Sequence, residues 1–199
     1  MELTIILLTV FFAFICGSIP AGYLLVKKYC GIDIRTKGSG NIGSTNVKRV
    51  AGSKISAITQ ALDITKGMIP VAFSMALAAA YKLPIEKNTF LAIVAIAAII
   101  GHNYTPFLEF NGGKGVNTTV GAFILIAPVP TISAIAMHYL LKIFTPIVSV
   151  RSIALGLTLP IASIIIGDNP VIIYSEIVAA IIMIIRHKDN LIRLFQGKE

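Results

Sequence analysis

The chain has 199 residues, 56% of them hydrophobic and only 13% charged, with a formal net charge of +8. A soluble domain of this size carries roughly a quarter charged residues, and disordered chains are poor in apolar ones. Both classes are therefore excluded, and no nucleic-acid partner is expected from the positive charge alone.

Seven apolar runs follow one another along the chain: 3–26, 55–80, 89–101, 116–127, 131–144, 152–167 and 171–185. They are continuously apolar and do not alternate, which predicts helices and not a barrel. The first two are long enough to cross about 30 Å of hydrocarbon, and several others sit near the lower limit. Flanking residues and local thinning of the bilayer make up the difference. Breakers fall where turns are needed, at Pro84, Pro128-Val129-Pro130, Pro146 and Gly167-Asp168-Asn169-Pro170. The predicted fold class is an all-α integral membrane protein of about seven transmembrane helices, one polytopic domain over 1–199. The runs 131–144 and 152–167 leave open a five-crossing arrangement with re-entrant pieces. No cleavable signal peptide is expected, because the run 3–26 is too long and lacks a basic segment before it. Cys16 and Cys30 do not make a disulfide framework.

Charge supplies the orientation. With seven crossings, residues 27–54, 102–114, 146–151 and 186–199 share one side, which receives thirteen of the seventeen Lys and Arg. The other side receives Lys82 and Lys87 only, while Lys66 and Lys142 lie within runs. Such a bias predicts that the basic side is cytoplasmic, with the N-terminus outside and the C-terminus in the cytoplasm.

The basic loops also hold the polar chemistry. The first contains Gly38-Ser39-Gly40-Asn41-Ile42-Gly43-Ser44-Thr45-Asn46 followed by Lys48 and Arg49. The second contains Asn111-Gly112-Gly113-Lys114-Gly115, the third Arg151-Ser152, and the tail Arg186-His187-Lys188-Asp189-Asn190 with Arg193. Glycine lets the backbone approach a ligand, successive N–H groups and hydroxyls form a nest for phosphate, and Lys or Arg supplies the countercharge. Ser39, Thr45, Arg49 and Lys114 fit such a cradle. The bland alternative is a tight turn with helix caps and topological charge.

Two look-alikes fail on context. Gly38-x-Gly40-x-x-Gly43 matches a dinucleotide fingerprint by letter, but a membrane helix precedes it where that motif needs a strand. Lys114 lacks both the first glycine and the following Ser or Thr of a P-loop. No Gly-x-Ser-x-Gly elbow and no His-Glu-x-x-His pair occurs, and no metal site is expected. His138 stands alone in an apolar run and is read as a packing residue. Asp63 and Lys66, three apart on one helical face, are read as a structural ion pair.

Four blocks carry a resemblance. They are the stretch from Gly38 to Arg49, then Asp63-Ile64-Thr65-Lys66-Gly67, then Gly101-His102 through Phe107-Leu108 to Gly112-Gly113-Lys114-Gly115-Val116, then Arg186 to Arg193 with the chain ending at Glu199. In this order they resemble the bacterial acyl-phosphate:glycerol-3-phosphate acyltransferase family, often called PlsY. Gly17-Ser18-Ile19-Pro20 is similar to that family as well. Ser44 and Asn117 depart from it, standing where alanine is common.

The resemblance implies a seven-helix enzyme of the bacterial inner membrane with its active site facing the cytoplasm. It implies transfer of a fatty acyl group from acyl phosphate to the 1-hydroxyl of glycerol-3-phosphate, giving lysophosphatidic acid and inorganic phosphate, with no cofactor. The catalytic residues it implies are Ser39, Thr45, Arg49, Lys114, His187 and Asn190. Gly40, Asn41, Gly43, Asn46, Gly112, Gly113, Gly115 and Ser152 are implied to bind substrate. The implied partners are glycerol-3-phosphate, acyl phosphate and membrane lipids, with an acyl-phosphate-producing enzyme as a further candidate. The proton of the attacking hydroxyl passes to a substrate phosphate in the preferred scheme, or to His187. A transporter for an organic phosphate is the alternative from another class.

Overall fold

In the computed structural model residues 2–198 are described; Met1 and Glu199, the end of the fourth block, lie outside them. Each of the seven apolar runs contains helix, and no strand occurs among the described residues. In chain order the helices are α1 (Glu2–Ser18), α2 (Ala21–Cys30), α3 (Ser44–Ala80), α4 (Lys87–Asn103), α5 (Val116–Phe123), α6 (Pro128–Phe144), α7 (Val148–Ile166), α8 (Pro170–Arg186) and α9 (Lys188–Phe195).

The boundaries differ from the hydropathy reading where hydropathy is blind. The run 3–26 is divided between α1 and α2, because Pro20 has no N–H to continue the ladder. Helix α3 starts at Ser44, well before its apolar stretch, and carries a non-helical Gly52 (φ 82°, ψ 175°) between its polar and apolar parts. Helix α5 has 8 residues, about 12 Å of helix, too short to cross alone. The tail, expected as a loop, forms α9 and bends 56° away from α8.

By length and composition four stretches qualify as membrane spans, Glu2–Cys30, Ser44–Ala80, Lys87–Leu108 and Val148–Ile166, or five if α8 and α9 are one path. The perimeter agrees with a lipid setting. Leu7, Phe11, Ile143, Ile165 and Tyr174 are all exposed, where a soluble protein would present charge.

Helix α4 is the centre of the bundle: Phe90, Val94, Ala95, Ala98 and Ile99 are fully buried. It packs against α1, α3, α5 and α8, while α6 and α7 pair with each other and join through α8. Two crossings are so close that only glycine fits. At the α1–α4 crossing, a Cβ on Gly101 would run into the Phe14 carbonyl. At the α3–α5 crossing, a Cβ on Gly67 would meet the Thr118 carbonyl and one on Gly121 the Ile64 carbonyl. Small residues are how membrane helices approach closely enough for dispersion to hold them.

Gly121→Val should push α5 off α3 and cost about 1–3 kcal/mol. A thermal melt in detergent reads this as a lower midpoint, and an unchanged midpoint would contradict the packing described.

Candidate active site

The four basic loops converge. A cavity of about 870 Å³ lies among the N-terminal ends of α3, α5 and α9 and the turn between α6 and α7. Its lining takes Ser39, Asn41, Gly43, Thr45, Asn46 and Arg49 from the first loop, Lys114 and Gly115 from the second, Ser152 from the third, and His187 and Asn190 from the tail. A second cavity of about 630 Å³ adjoins it, lined in part by Gly40 and Gly112 and sharing Ser39, Asn41, Lys114, Asn190 and Arg193 as a wall. Of the residues expected from sequence, Gly113 alone lines neither.

Three helix starts at this cavity lack a side-chain cap: Gly43 before α3, Gly115 before α5 and His187 before α9. Uncapped first-turn N–H groups and the positive ends of the helix dipoles suit an anion. On the rim, Ser39, Thr45 and Arg49 are exposed. Their side chains make no hydrogen bond with the described residues, which leaves hydroxyls and guanidinium available to a ligand. The floor is buried and includes Asp63, His102, Ser152, His187 and Asn190.

The loop before α3 is held from inside. Asn46 Oδ1 accepts from the Ser39 N–H at 2.9 Å, and Asn46 Nδ2 donates to the carbonyls of Lys37 and Asn41 at 3.0 and 2.9 Å. Asn46 lines the cavity with its amide engaged by the loop itself, and a Cβ on Gly38 would displace its carbonyl oxygen. Asn41 Oδ1 accepts from the Gly43 N–H at 2.9 Å, shaping the approach to α3.

The loop before α5 is held from both sides. From below, the Gly113 N–H donates to the His102 carbonyl at 3.0 Å, and the His102 ring lies so close that a Cβ on Gly113 would strike Nε2. From the other side, Arg186 Nε donates to the Gly113 carbonyl at 3.0 Å and Arg186 Nη2 to the Gly112 carbonyl at 3.1 Å. The same guanidinium lies over the Tyr104 ring, 5.0 Å from its centroid. Gly112 and Gly113 thus serve close packing, and the charge that emerges from the loop is Lys114. Its ammonium donates to Asn190 Oδ1, tying the loop to α9. His187 Nδ1 lies 2.8 Å from the Met183 carbonyl. A carbonyl only accepts, so Nδ1 carries the proton in the neutral ring and Nε2 is the basic nitrogen.

Beneath the floor, Asp63 Oδ1 pairs with Lys66 Nζ at 2.8 Å, and Lys66 Nζ also donates to the Ile19 carbonyl at 2.7 Å. The structural pairing read from sequence is present. Asp63 is also the one carboxylate among the described residues lining the larger cavity, and Lys66 offsets its charge. Ser44 and Asn117, the two departures noted above, touch each other: Asn117 Nδ2 donates to Ser44 Oγ at 3.2 Å, joining the starts of α3 and α5.

Several lining residues were passed over in the sequence. His138 is half-buried on the cavity wall with Lys142 one turn away on α6. Ser56, Gln60 and Asp63 line the wall from α3. In both cases the three- and four-residue spacing was the available signal. Arg151 and Arg193 lay in loops already marked as basic.

Comparison with known proteins agrees with this geometry. The family model described as glycerol-3-phosphate acyltransferase matches residues 7–197. A glycerol-3-phosphate acyltransferase of Clostridium acetobutylicum is 57% identical over 195 residues, covering 98% of each chain. This chain belongs to the glycerol-3-phosphate acyltransferase family. A further family member, from Staphylococcus carnosus, is 39% identical over 98% of this chain and 96% of its own. Two crystal structures of PlsY, an integral membrane glycerol 3-phosphate acyltransferase, superpose with TM-scores of 0.89 and 0.87 at 30% identity. One is its glycerol 3-phosphate form and the other its lysophosphatidic acid form, and they cover 98% of this chain and 94% and 93% of theirs.

Arg186 lines the adjoining cavity and, through the Gly112 and Gly113 carbonyls, holds the loop that carries Lys114. Lysine cannot make the two parallel bonds of a guanidinium. Arg186→Lys should therefore lower kcat by roughly 10²-fold, the scale of a small misplacement of a reacting group. Steady-state kinetics beside a thermal melt checks this, and full kcat in the variant would contradict the positioning role.

Proposed function

We propose that the protein transfers a fatty acyl group from acyl phosphate to the 1-hydroxyl of glycerol-3-phosphate, releasing lysophosphatidic acid and inorganic phosphate. The carrying observation is that four loops, separated in sequence by apolar helices, bring their glycine, hydroxyl and cationic groups to one cavity at one end of the bundle. Both substrates bear phosphate and the donor bears an acyl chain, so a polar chamber at the edge of an apolar bundle suits them.

The same convergence supports the topology. Seven apolar segments taken as crossings, α5 completed by its flanking turns in a thinned bilayer, put the four loops on the cytoplasmic side by the charge bias. The N-terminus is then outside, the C-terminus cytoplasmic, and the membrane is the bacterial inner membrane.

The donor is an activated mixed anhydride, so placing the partners and stabilising the developing oxyanion supply most of the acceleration. Arg49, Lys114 and the helix starts hold the phosphates, with Ser39 and Thr45 as hydroxyl donors. Asn190, Ser152 and His187 orient glycerol-3-phosphate. The glycerol oxygen attacks the acyl carbon, the bond from that carbon to the phosphate oxygen breaks, and the hydroxyl proton leaves with the phosphate. His187, fixed through Nδ1, offers Nε2 as the alternative acceptor of that proton. Neither Ser39 nor Thr45 is hydrogen-bonded to a base among the described residues, which argues against an activated nucleophile.

The test is a donor comparison. Purified protein receives labelled glycerol-3-phosphate with palmitoyl phosphate or palmitoyl-CoA. Lysophosphatidic acid should form from the phosphate donor only. Lys114→Ala should reduce the rate by about 10²–10³-fold, and Arg49→Ala, on the exposed rim, by less. No product from either donor would return the transporter reading to first place, and product from palmitoyl-CoA alone would overturn the donor.

A further inference from the structure

Arg151 is a charge that the site as described does not use. It sits on α7 beside the α6–α7 turn, lines the larger cavity and is 8% exposed. Its Nη2 donates to the Pro146 carbonyl at 3.3 Å, a long bond to a neutral acceptor. Its Nε is buried without any hydrogen-bond partner, and no carboxylate among the described residues pairs with it. A buried guanidinium with an unmet N–H is costly, and an ionisable group inside a membrane bundle marks function by default.

Its surroundings add to the charge. Lys142 and His138 of α6 line the same end of the cavity, and His138 lies within electrostatic reach of both Lys142 and Arg151. The His138 Nδ1 is likewise buried with no partner. Ser149 and Ser152 bring hydroxyls to this wall. Arg151 Nε and His138 Nδ1 are therefore two buried polar atoms at the end opposite the glycine loops that no hydrogen-bond partner satisfies.

Counting charge gives the set a role. A phosphate monoester near neutral pH carries about −1.5 to −2, so two of them together bring roughly −3 to −4. Arg49 and Lys114, the two cations assigned to phosphate above, offset only part of this, and Lys48, Arg193 and Lys198 line the cavity as well. One cluster of donors also cannot hold two phosphates that must lie apart for an acyl group to pass between their owners.

We infer that Arg151 is a phosphate ligand, the centre of a second phosphate subsite at the α6–α7 end of the cavity, with Lys142 and His138 beside it. The guanidinium closes on two phosphate oxygens through Nε and Nη2 in the bidentate manner that arginine favours. The inference rests on the reading above for the identity of the two anions. The phosphate is that of the acyl donor or that of glycerol-3-phosphate, and kinetics separates them.

The experiment compares wild type, Arg151→Gln and Arg151→Lys in two assays. The first is stabilisation by inorganic phosphate, the shift in thermal midpoint as phosphate is titrated into the protein in detergent. The second is turnover with palmitoyl phosphate and glycerol-3-phosphate varied in turn. The expected result is that Arg151→Gln weakens the phosphate-dependent shift. It should also raise KM about tenfold or more, the fold-change of one lost bond to a charged group. A rise for palmitoyl phosphate assigns the subsite to the donor, a rise for glycerol-3-phosphate assigns it to the acceptor, and Arg151→Lys should recover part of either. A guanidinium that merely braces Pro146 predicts a lower midpoint without phosphate, an unchanged phosphate-dependent shift and both KM values unchanged. That pattern would overturn the inference. Wild type that responds to phosphate through Arg151 yet forms no lysophosphatidic acid would sink the acyl-transfer reading and leave the subsite standing.

Discussion

A cation that must meet an anionic substrate cannot be held in place by a carboxylate without losing its charge, and much of the structure answers that constraint. Three of the groups that position Lys114 carry no negative charge. Arg186 grips the carbonyls of Gly112 and Gly113, the His102 ring supports Gly113 from beneath, and the Asn190 amide receives the ammonium. Each of these partners orients and none neutralises. The supports come from the ends of α4 and α8, whose bodies are packed into the centre of the bundle. Groups fixed in this way need little reorganisation when charge develops in a transition state.

The same economy of negative charge holds around the site. Asp63, on the floor of the larger cavity, is matched by Lys66. In the adjoining cavity Asp33 meets Arg35, with Nη2 to Oδ2 at 2.7 Å. The Arg35 guanidinium holds the Asp33 carboxyl below the usual carboxylate range, chiefly through this side-chain hydrogen bond. Hydrophobic packing alone would not gather so many cations at one end of an apolar bundle. The glycine crossings at Gly67, Gly101 and Gly121 keep the helices close enough for their ends to meet there.

Much of this was legible in the residues. Continuous apolar runs gave the helices, and the Lys and Arg bias gave four loops on one side, which the structure brings to one cavity. The misses have physical causes. The start of α3 at Ser44 is polar, so hydropathy cannot see it. Helix α9 is a short amphipathic piece that carries Asn190 to Lys114, and periodicity over eight residues is a weak signal. Gly113, one of the glycines read for phosphate, also makes room for the imidazole packed against it, a contact spanning more residues than local pattern can report. Asn46 and Arg186 were visible as polar residues in the right loops. That their bonds go to the backbone depends on the tertiary fold.

In the proposed reaction the acyl group passes in one step and nothing is left attached to the protein. The most direct measurement is incorporation of labelled inorganic phosphate into palmitoyl phosphate by the purified protein with glycerol-3-phosphate absent. Direct transfer predicts no exchange above the rate without protein, while lysophosphatidic acid appears as soon as glycerol-3-phosphate is added. Exchange in its absence, together with labelled acyl group retained on the protein, would contradict this account.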